Sequence, residues 1–456
     1  MSGIFLKGGR VIDPAGGFDG VADLLLLDGR IASAEVIARW PGQEPVTTIE
    51  CAGCWVVPGL IDPHVHLRDP GNPEKETIFS GLRAAAAGGF TTVAAMANTA
   101  PVNDTPEITH YMIERAAQAG GAHLVPVAAV TKGLAGRELI DVAAMAAAGA
   151  RLFSDDGIPI DDAALLATAL RSVTASGFVI SLHEEDRALT ANGAMNEGAT
   201  ARRLGVRGIP SGAESARVER DLEIALGARA PVHVAHISTA EAVRAVREAR
   251  QRGLAVTCEA TPHHFMLEDD AVLECGANAR MSPPLRSRRD RDAIRAAIAD
   301  GTIDMIATDH APHDSMSKGL NLLGPLFGAS RRGGRLSSDE AQALAAAANG
   351  VVGLETALGL ALAMVHEGLI TPQRMVEMMS LNPARLLRLE GAGRLTAGAR
   401  SDVTVIDPNY PWIVDPSKFL SLSRNTPFAG RELKGRAMLS IVEGKIVYDA
   451  RVGRLH

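Results

Sequence analysis

Cysteine is scarce in this chain, with four in 456 residues. So few cannot build a disulfide framework at this size, which fits a reducing compartment. Cys51 and Cys54 do form a C-x-x-C, but no second pair follows, and the motif precedes a strand-like run instead of opening a helix. It reads as incidental, because a structural zinc site needs two more matched ligands. Basic blocks are missing too, and with a net charge of -7 the chain offers nucleic acid or an anionic membrane no electrostatic footprint. Long hydrophobic runs are also absent. The opening MSGIFLKGGRVIDPAGG has no apolar core of signal-peptide length, and the Ala-rich stretches are too short and interrupted to span a bilayer. The expectation is a cytoplasmic protein whose partner is a small molecule.

What is present is a chain able to bury one large core and a smaller one, with 46% hydrophobic residues and evenly spread charge. Its middle alternates short apolar or β-branched runs with longer Ala-, Leu-, Arg- and Glu-rich segments of helical period, as a parallel α/β fold does. The expected strands are Val57 to Asp62, Thr91 to Met96, His123 to Ala129, Ala150 to Phe153, Phe178 to Leu182, Val232 to Ala235, Leu254 to Glu259 and Ile303 to Thr308. Helix starts are marked by Thr105-Pro106-Glu107 and Thr371-Pro372. Eight strand-helix units predict a (β/α)8 TIM-type barrel over residues 57–394. Residues 1–56 and 395–456 carry strand-like pieces around Asp28-Gly29-Arg30 and Glu443-Gly444-Lys445, and are expected to pack together as one small β-sandwich domain.

Barrel enzymes build their sites at the carboxyl ends of the strands, and the chemistry-bearing residues fall there. His64 and His66 follow the first expected strand, Asn98 the second and Asp155-Asp156 the fourth. His183 follows the fifth, His236 the sixth, and Asp309 and His313 the eighth. In DPHVHLRDPG, His64 and His66 project to one side of an extended segment, so both imidazoles can reach one cation. Arg68, two residues on, offers a planar fork for a carboxylate. Four histidines with one or two aspartates are enough donors for two cations sharing a bridge. A water held by such a pair becomes a nucleophile near neutral pH. Asp309, in IATDHAPH, is placed to bind metal and to pass a proton to a leaving nitrogen.

The blocks DPHVHLRDPG, GGFTTVAAMANTAP, FSDDG, HVAHISTAEA, TPHHF, MSPPLR, IATDHAPH and GLET resemble those of dihydroorotases of the longer bacterial type, within the cyclic amidohydrolase superfamily. The resemblance covers nearly the whole chain. It implies two zinc ions per subunit, one held by His64, His66 and Asp309, the other by His183 and His236, with Asp156 the better match than Asp155 for the bridge. Many relatives bridge with a carbamylated lysine, so an aspartate points away from hydantoinases and allantoinases. The implied substrate-binding set is His66, Arg68, Asn98, Ser282, His313, Asn349 and Gly350, with Arg68, Asn98 and His313 around a carboxylate. The implied reaction is the reversible cyclisation of N-carbamoyl-L-aspartate to L-dihydroorotate in pyrimidine biosynthesis, with metal-bridged hydroxide as nucleophile and Asp309 as proton shuttle.

Other polar residues are given quieter roles. His263 and His264 are expected to orient ligands, Glu184, Glu185 and Asp186 to form a helix-start acidic cluster, and His123 and His233 to be structural. Two departures from the family pattern stand out. Ser282 replaces a usual asparagine, and the segment from His313 to Gly353 is longer and lacks an acidic pair before a lysine. Its length leaves two matches for a family Phe-Gly that touches substrate: Asn349-Gly350, preferred for its spacing to GLET, and Phe327-Gly328 by residue type. The SRRGGR stretch within it reads as a lid, a partner contact or a disordered loop. Competing readings are a hydantoinase-like or allantoinase-like hydrolase, and a non-catalytic partner of aspartate transcarbamoylase. A homodimer or other homo-oligomer is expected.

Overall fold

The computed structural model describes residues 3–38, 46–320 and 334–452, together with the backbone of the strand Arg454–Leu455. Eight parallel strands follow one another around a barrel: Leu60–Val65, Phe90–Ala95, His123–Ala128, Leu152–Phe153, Ile180–Leu182, Val232–Val234, Val256–Ala260 and Met305–Ile306. Each pairs in parallel with the next. The ring closes beyond the last strand, where His310 bridges to Val65 on one side and Val351 on the other, and the His66 N–H donates to the His310 carbonyl at 2.8 Å. Helices between the strands cover the outside. Phe90, Phe153, Leu60, Val93 and Phe265 are among the fully buried members of the largest apolar cluster.

The strand expected over Val57 to Asp62 is two strands. Trp55–Pro58 belongs to another sheet, and the barrel strand starts at Leu60. Both stretches are buried on both faces, so WVVPGLI reads as one apolar run, and burial alone cannot mark where the chain changes sheet. Gly59 marks it sterically: a Cβ there would lie 2.0 Å from Thr91 Oγ1. In consequence His64 lies within the barrel strand and only His66 follows it.

Both terminal segments share a nine-stranded sheet. Trp55–Pro58 joins them, pairing in parallel with Gly3–Asp13 and antiparallel with Val403–Ile413. The expected turns are there: Asp28-Gly29 and Glu443-Gly444 both have positive φ at the two central residues, the twist a tight hairpin requires. Leu6, Leu26, Val56, Val403, Leu439 and Ile441 make its core. Between Val403–Ile413 and Glu432–Val442 the chain leaves this sheet and runs to the carboxyl-end rim of the barrel. There Leu420 and Ser421 donate backbone N–H groups to Glu355, and the Leu422 N–H and Ser421 hydroxyl bond Glu76. Among the described residues no helix is long and apolar enough to cross a membrane.

Candidate active site

His64 and His66 alternate along the first barrel strand and its exit, and their rings stand 5.3 Å apart at the barrel mouth. The Nδ1 of each ring is held: His64 Nδ1 lies 2.8 Å from Glu259 Oε1, and His66 Nδ1 2.9 Å from Asn98 Oδ1. Their Nε2 atoms turn to Asp156, each 3.5 Å from one of its oxygens. Across Asp156, His183 Nδ1 is 3.2 Å from Oδ1 and His236 Nε2 is 3.8 Å from it. Asp309 Oδ1 lies 3.0 Å from His66 Nε2 and 3.7 Å from His64 Nε2.

Two donor groups result, His64 with His66 and Asp156, and Asp156 with His183 and His236, each with ligating atoms within 4.8 Å of one another. Asp156 belongs to both, and Asp309 borders the first. Among the described residues His64 Nε2 is buried without a hydrogen-bond partner, the position of a nitrogen that a cation would engage. Imidazole and carboxylate donors in such number suit zinc and its transition-metal neighbours. The electrostatics agree. Burial would raise Asp156, yet the charge of His64, the hydrogen bond from His183 and the nearby His236 ring hold it well below the usual carboxylate range. Burial likewise opposes charge on His183, but Asp156 and Glu185 push it up to about 10. The cluster's carboxylates thus favour positive charge among them.

Asp155 and Asp156 divide their work. Asp155 Oδ1 accepts from the N–H groups of Val130 and Thr131 at 2.7 and 3.0 Å and so shapes a neighbouring loop, while Asp156 enters both donor groups.

Beside the donors lies a cavity of about 260 Å³. His66, Arg68, Asn98, Asp156, His183, His236, Ser282, Asp309, His313, Asn349 and Gly350 line it, and His64 lies beneath. Arg68 reaches the Pro312 carbonyl with Nε at 3.3 Å, and its Nη2 is 3.3 Å from His313 Nε2. Burial, with Arg68 and Lys318 near by, pushes His313 down to about 3, so the ring is neutral at ordinary pH. Its Nε2 lies 2.8 Å from the Asn349 carbonyl, and Nδ1 has no hydrogen-bond partner among the described residues. Gly350 has φ +134°, and a Cβ there would stand 2.5 Å from Ala311 Cβ. Phe327-Gly328 and most of SRRGGR lie outside the described residues.

The structure reassigns one residue and adds two. Of the acidic cluster, Asp186 caps the helix Arg187–Thr190 as expected, but Glu185 turns into the cavity and bonds His183 Nε2 at 3.1 Å. Glu259, given no role in the sequence, joins His64 to His233, whose Nδ1 lies 2.9 Å from Thr257 Oγ1. Lys318 is fully buried, donating to the carbonyls of Arg280, Ala348 and Gly350 at 2.9 Å each. Burial pushes its amine down to about 7, yet three acceptors are all served only by the ammonium form. His264 holds the Pro283 carbonyl at 3.0 Å, next to Ser282, while His263 is buried and neutral, pushed down to about 4 by burial. His123 pairs with Asp402 at 3.4 Å, tying the barrel to the C-terminal sheet segment.

A (β/α)8 barrel whose carboxyl-end mouth gathers two imidazole-carboxylate groups around a shared aspartate defines an amidohydrolase. The chain is 46% identical over 448 residues to a dihydroorotase of Anaeromyxobacter dehalogenans, covering 98% of each chain, and 45% identical to one of Syntrophus aciditrophicus, covering 98% and 99%. Residues 53–242 match the family model described as Dihydro-orotase-like. The chain belongs to the dihydroorotase family of cyclic amidohydrolases. Among solved structures, an L-hydantoinase (dihydropyrimidinase) from Arthrobacter aurescens superposes with a TM-score of 0.85 at 24% identity, covering 99% and 97% of the two chains, a likeness of fold.

Proposed function

We propose that this protein is a zinc-dependent dihydroorotase acting in the cytoplasm, interconverting N-carbamoyl-L-aspartate and L-dihydroorotate in pyrimidine biosynthesis. The observation that carries this reading is the grouping of Arg68, Asn98 and His313 in one cavity with the two donor groups. A guanidinium flanked by an amide and an imidazole is a receptor for a carboxylate, which dihydroorotate has and a hydantoin with a neutral side chain lacks.

His64, His66 and Asp309 are the residues to hold one cation, His183 and His236 the other, with Asp156 between them. When bound, the pair supplies a water nucleophile at neutral pH and polarises the scissile carbonyl. The chain's own residues do the rest. Arg68 and His313 orient the ring through its carboxylate, and Asn98 both faces the cavity and fixes the His66 ring. Burial would raise Asp309, but the hydrogen bond to His66 and the charges of His64, His66 and His236 hold it far below the carboxylate range. It is therefore ionised and able to take a proton. In ring closure Asp309 takes the proton from the ureido nitrogen, and in hydrolysis it returns that proton to the departing ring nitrogen. The proposed assembly is a homo-oligomer that docks to aspartate transcarbamoylase, to be sought by sedimentation.

The test is an assay of purified, metal-analysed protein on dihydroorotate, hydantoin and allantoin. Dihydroorotate is expected to be turned over selectively, with Asp309→Ala reducing kcat by roughly 10²–10⁴-fold. Turnover of another cyclic ureide without turnover of dihydroorotate would overturn the reading.

A further inference from the structure

The tail segment that leaves the terminal sheet for the barrel rim carries Asn425, which is 2% exposed. Its side chain bonds the backbone of the cavity wall. Oδ1 accepts from the His313 N–H at 3.0 Å, and Nδ2 donates to the carbonyls of Ala311 at 3.0 Å and Gly350 at 2.9 Å. Its own carbonyl accepts from the Val352 N–H at 2.9 Å. The amide can be oriented only one way, since a flip would set its NH2 against an N–H and its oxygen against two carbonyls. One side chain thereby ties the loop after the eighth strand, carrying His313, to the loop carrying Asn349 and Gly350.

Those two loops meet again at the imidazole, because His313 Nε2 lies 2.8 Å from the Asn349 carbonyl. Shifting the Asn349-Gly350 peptide therefore turns the His313 ring, whose Nε2 stands 3.3 Å from Arg68 Nη2. Lys318 and Asn425 both donate to the Gly350 carbonyl, so the peptide is held from two sides, one of them the C-terminal segment. Asn425 touches none of the donor groups.

We propose that Asn425 is a positioning residue for the substrate carboxylate, so that the C-terminal segment sets the geometry of a clamp whose named members all lie elsewhere in the chain. The inference rests on the reading of Arg68, Asn98 and His313 as a carboxylate receptor. Its signature is a rise in KM with kcat and metal content unchanged, because ground-state and transition-state binding of a remote carboxylate are lost together.

The experiment compares wild type with Asn425→Asp and Asn425→Ala on dihydroorotate, with metal content measured on each preparation. The aspartate keeps the acceptor for the His313 N–H but aims an oxygen at two carbonyls, and is expected to raise KM by about 10–100-fold, the alanine by about 10-fold, with kcat within about threefold of wild type. A wild type inactive on dihydroorotate would refute the substrate reading itself. With an active wild type, an unchanged KM in both variants would overturn the role of Asn425 alone. So would a joint loss of kcat and metal, or failure of both variants to fold, since Asn425 would then be a general structural residue.

Discussion

Glu259 is fully buried between two imidazoles, 2.8 Å from His64 Nδ1 and 3.1 Å from His233 Nε2. Burial would raise its carboxyl, but the charge of His64 and hydrogen bonds with His233 and His64 hold it far below its ordinary value. An ionised Glu259 accepts the His64 Nδ1–H and holds that proton in place, so the Nε2 proton is the one a cation displaces and the freed lone pair faces the first donor group. Glu259→Gln keeps the size of the side chain and removes the charge. It is expected to weaken metal binding by about 10–100-fold, read by competition with a chelator, while circular dichroism stays native. Undiminished metal affinity would show that Glu259 only fills the core. Its sequence mark was faint: a carboxylate closing an apolar strand is as often an ordinary loop residue, and nothing in local spacing joins it to a histidine 195 positions away.

At the scale of elements, the loop Ala347 to Gly350 has no structure of its own that a sequence could announce. It is held by Arg280, which donates to the carbonyls of Ala345 and Ala347, by Lys318 and by Asn425. Gly350→Ala would force a Cβ to within 2.5 Å of Ala311 Cβ at a positive φ, so the loop must move. The expected result is a KM for dihydroorotate raised by about 10-fold or more with metal content intact, and an unchanged KM would show that this loop is not part of the substrate wall. The barrel strands were legible for the opposite reason, because each is an apolar run flanked by helical period. All eight strands appear, although Leu152–Phe153 and Met305–Ile306 shrink to two residues each. The one misplacement, at Trp55 to Val65, arose where two sheets bury consecutive runs and the pattern of burial carries no boundary. His66, His183 and His236 could be named because each stands just past a strand end, and His64 because it alternates with His66 along an extended run. Glu185 escaped because its turn toward His183 follows from the path of the loop after Leu182, which helix-capping statistics do not describe.

For the molecule as a whole, the C-terminal segment does more than complete a sheet. It returns to the barrel rim, where Glu355 receives the backbone N–H groups of Leu420 at 2.8 Å and Ser421 at 3.1 Å. Burial, with the like charge of Glu76, pushes Glu355 up to about 7 against the pull of those N–H groups and of Arg424. An unfolded glutamate titrates near 4.3, so between about pH 4.3 and 7 the native state binds more protons than the unfolded chain. Stability from this group is therefore fully present below about pH 4.3 and declines as the pH rises toward 7, by up to about 3 kcal/mol. Glu355→Gln retains an acceptor for the two N–H groups and cannot ionise. Its Tm is expected to exceed that of wild type by roughly 3 °C at pH 8, with the difference shrinking as the pH falls toward 5. A difference that stays constant from pH 5 to 8 would show that Glu355 is already ionised throughout and that the barrel holds its C-terminal segment as an ordinary carboxylate-amide contact. A difference that follows the pH instead makes the attachment of that segment, and through Asn425 the cavity wall, tightest in mild acid.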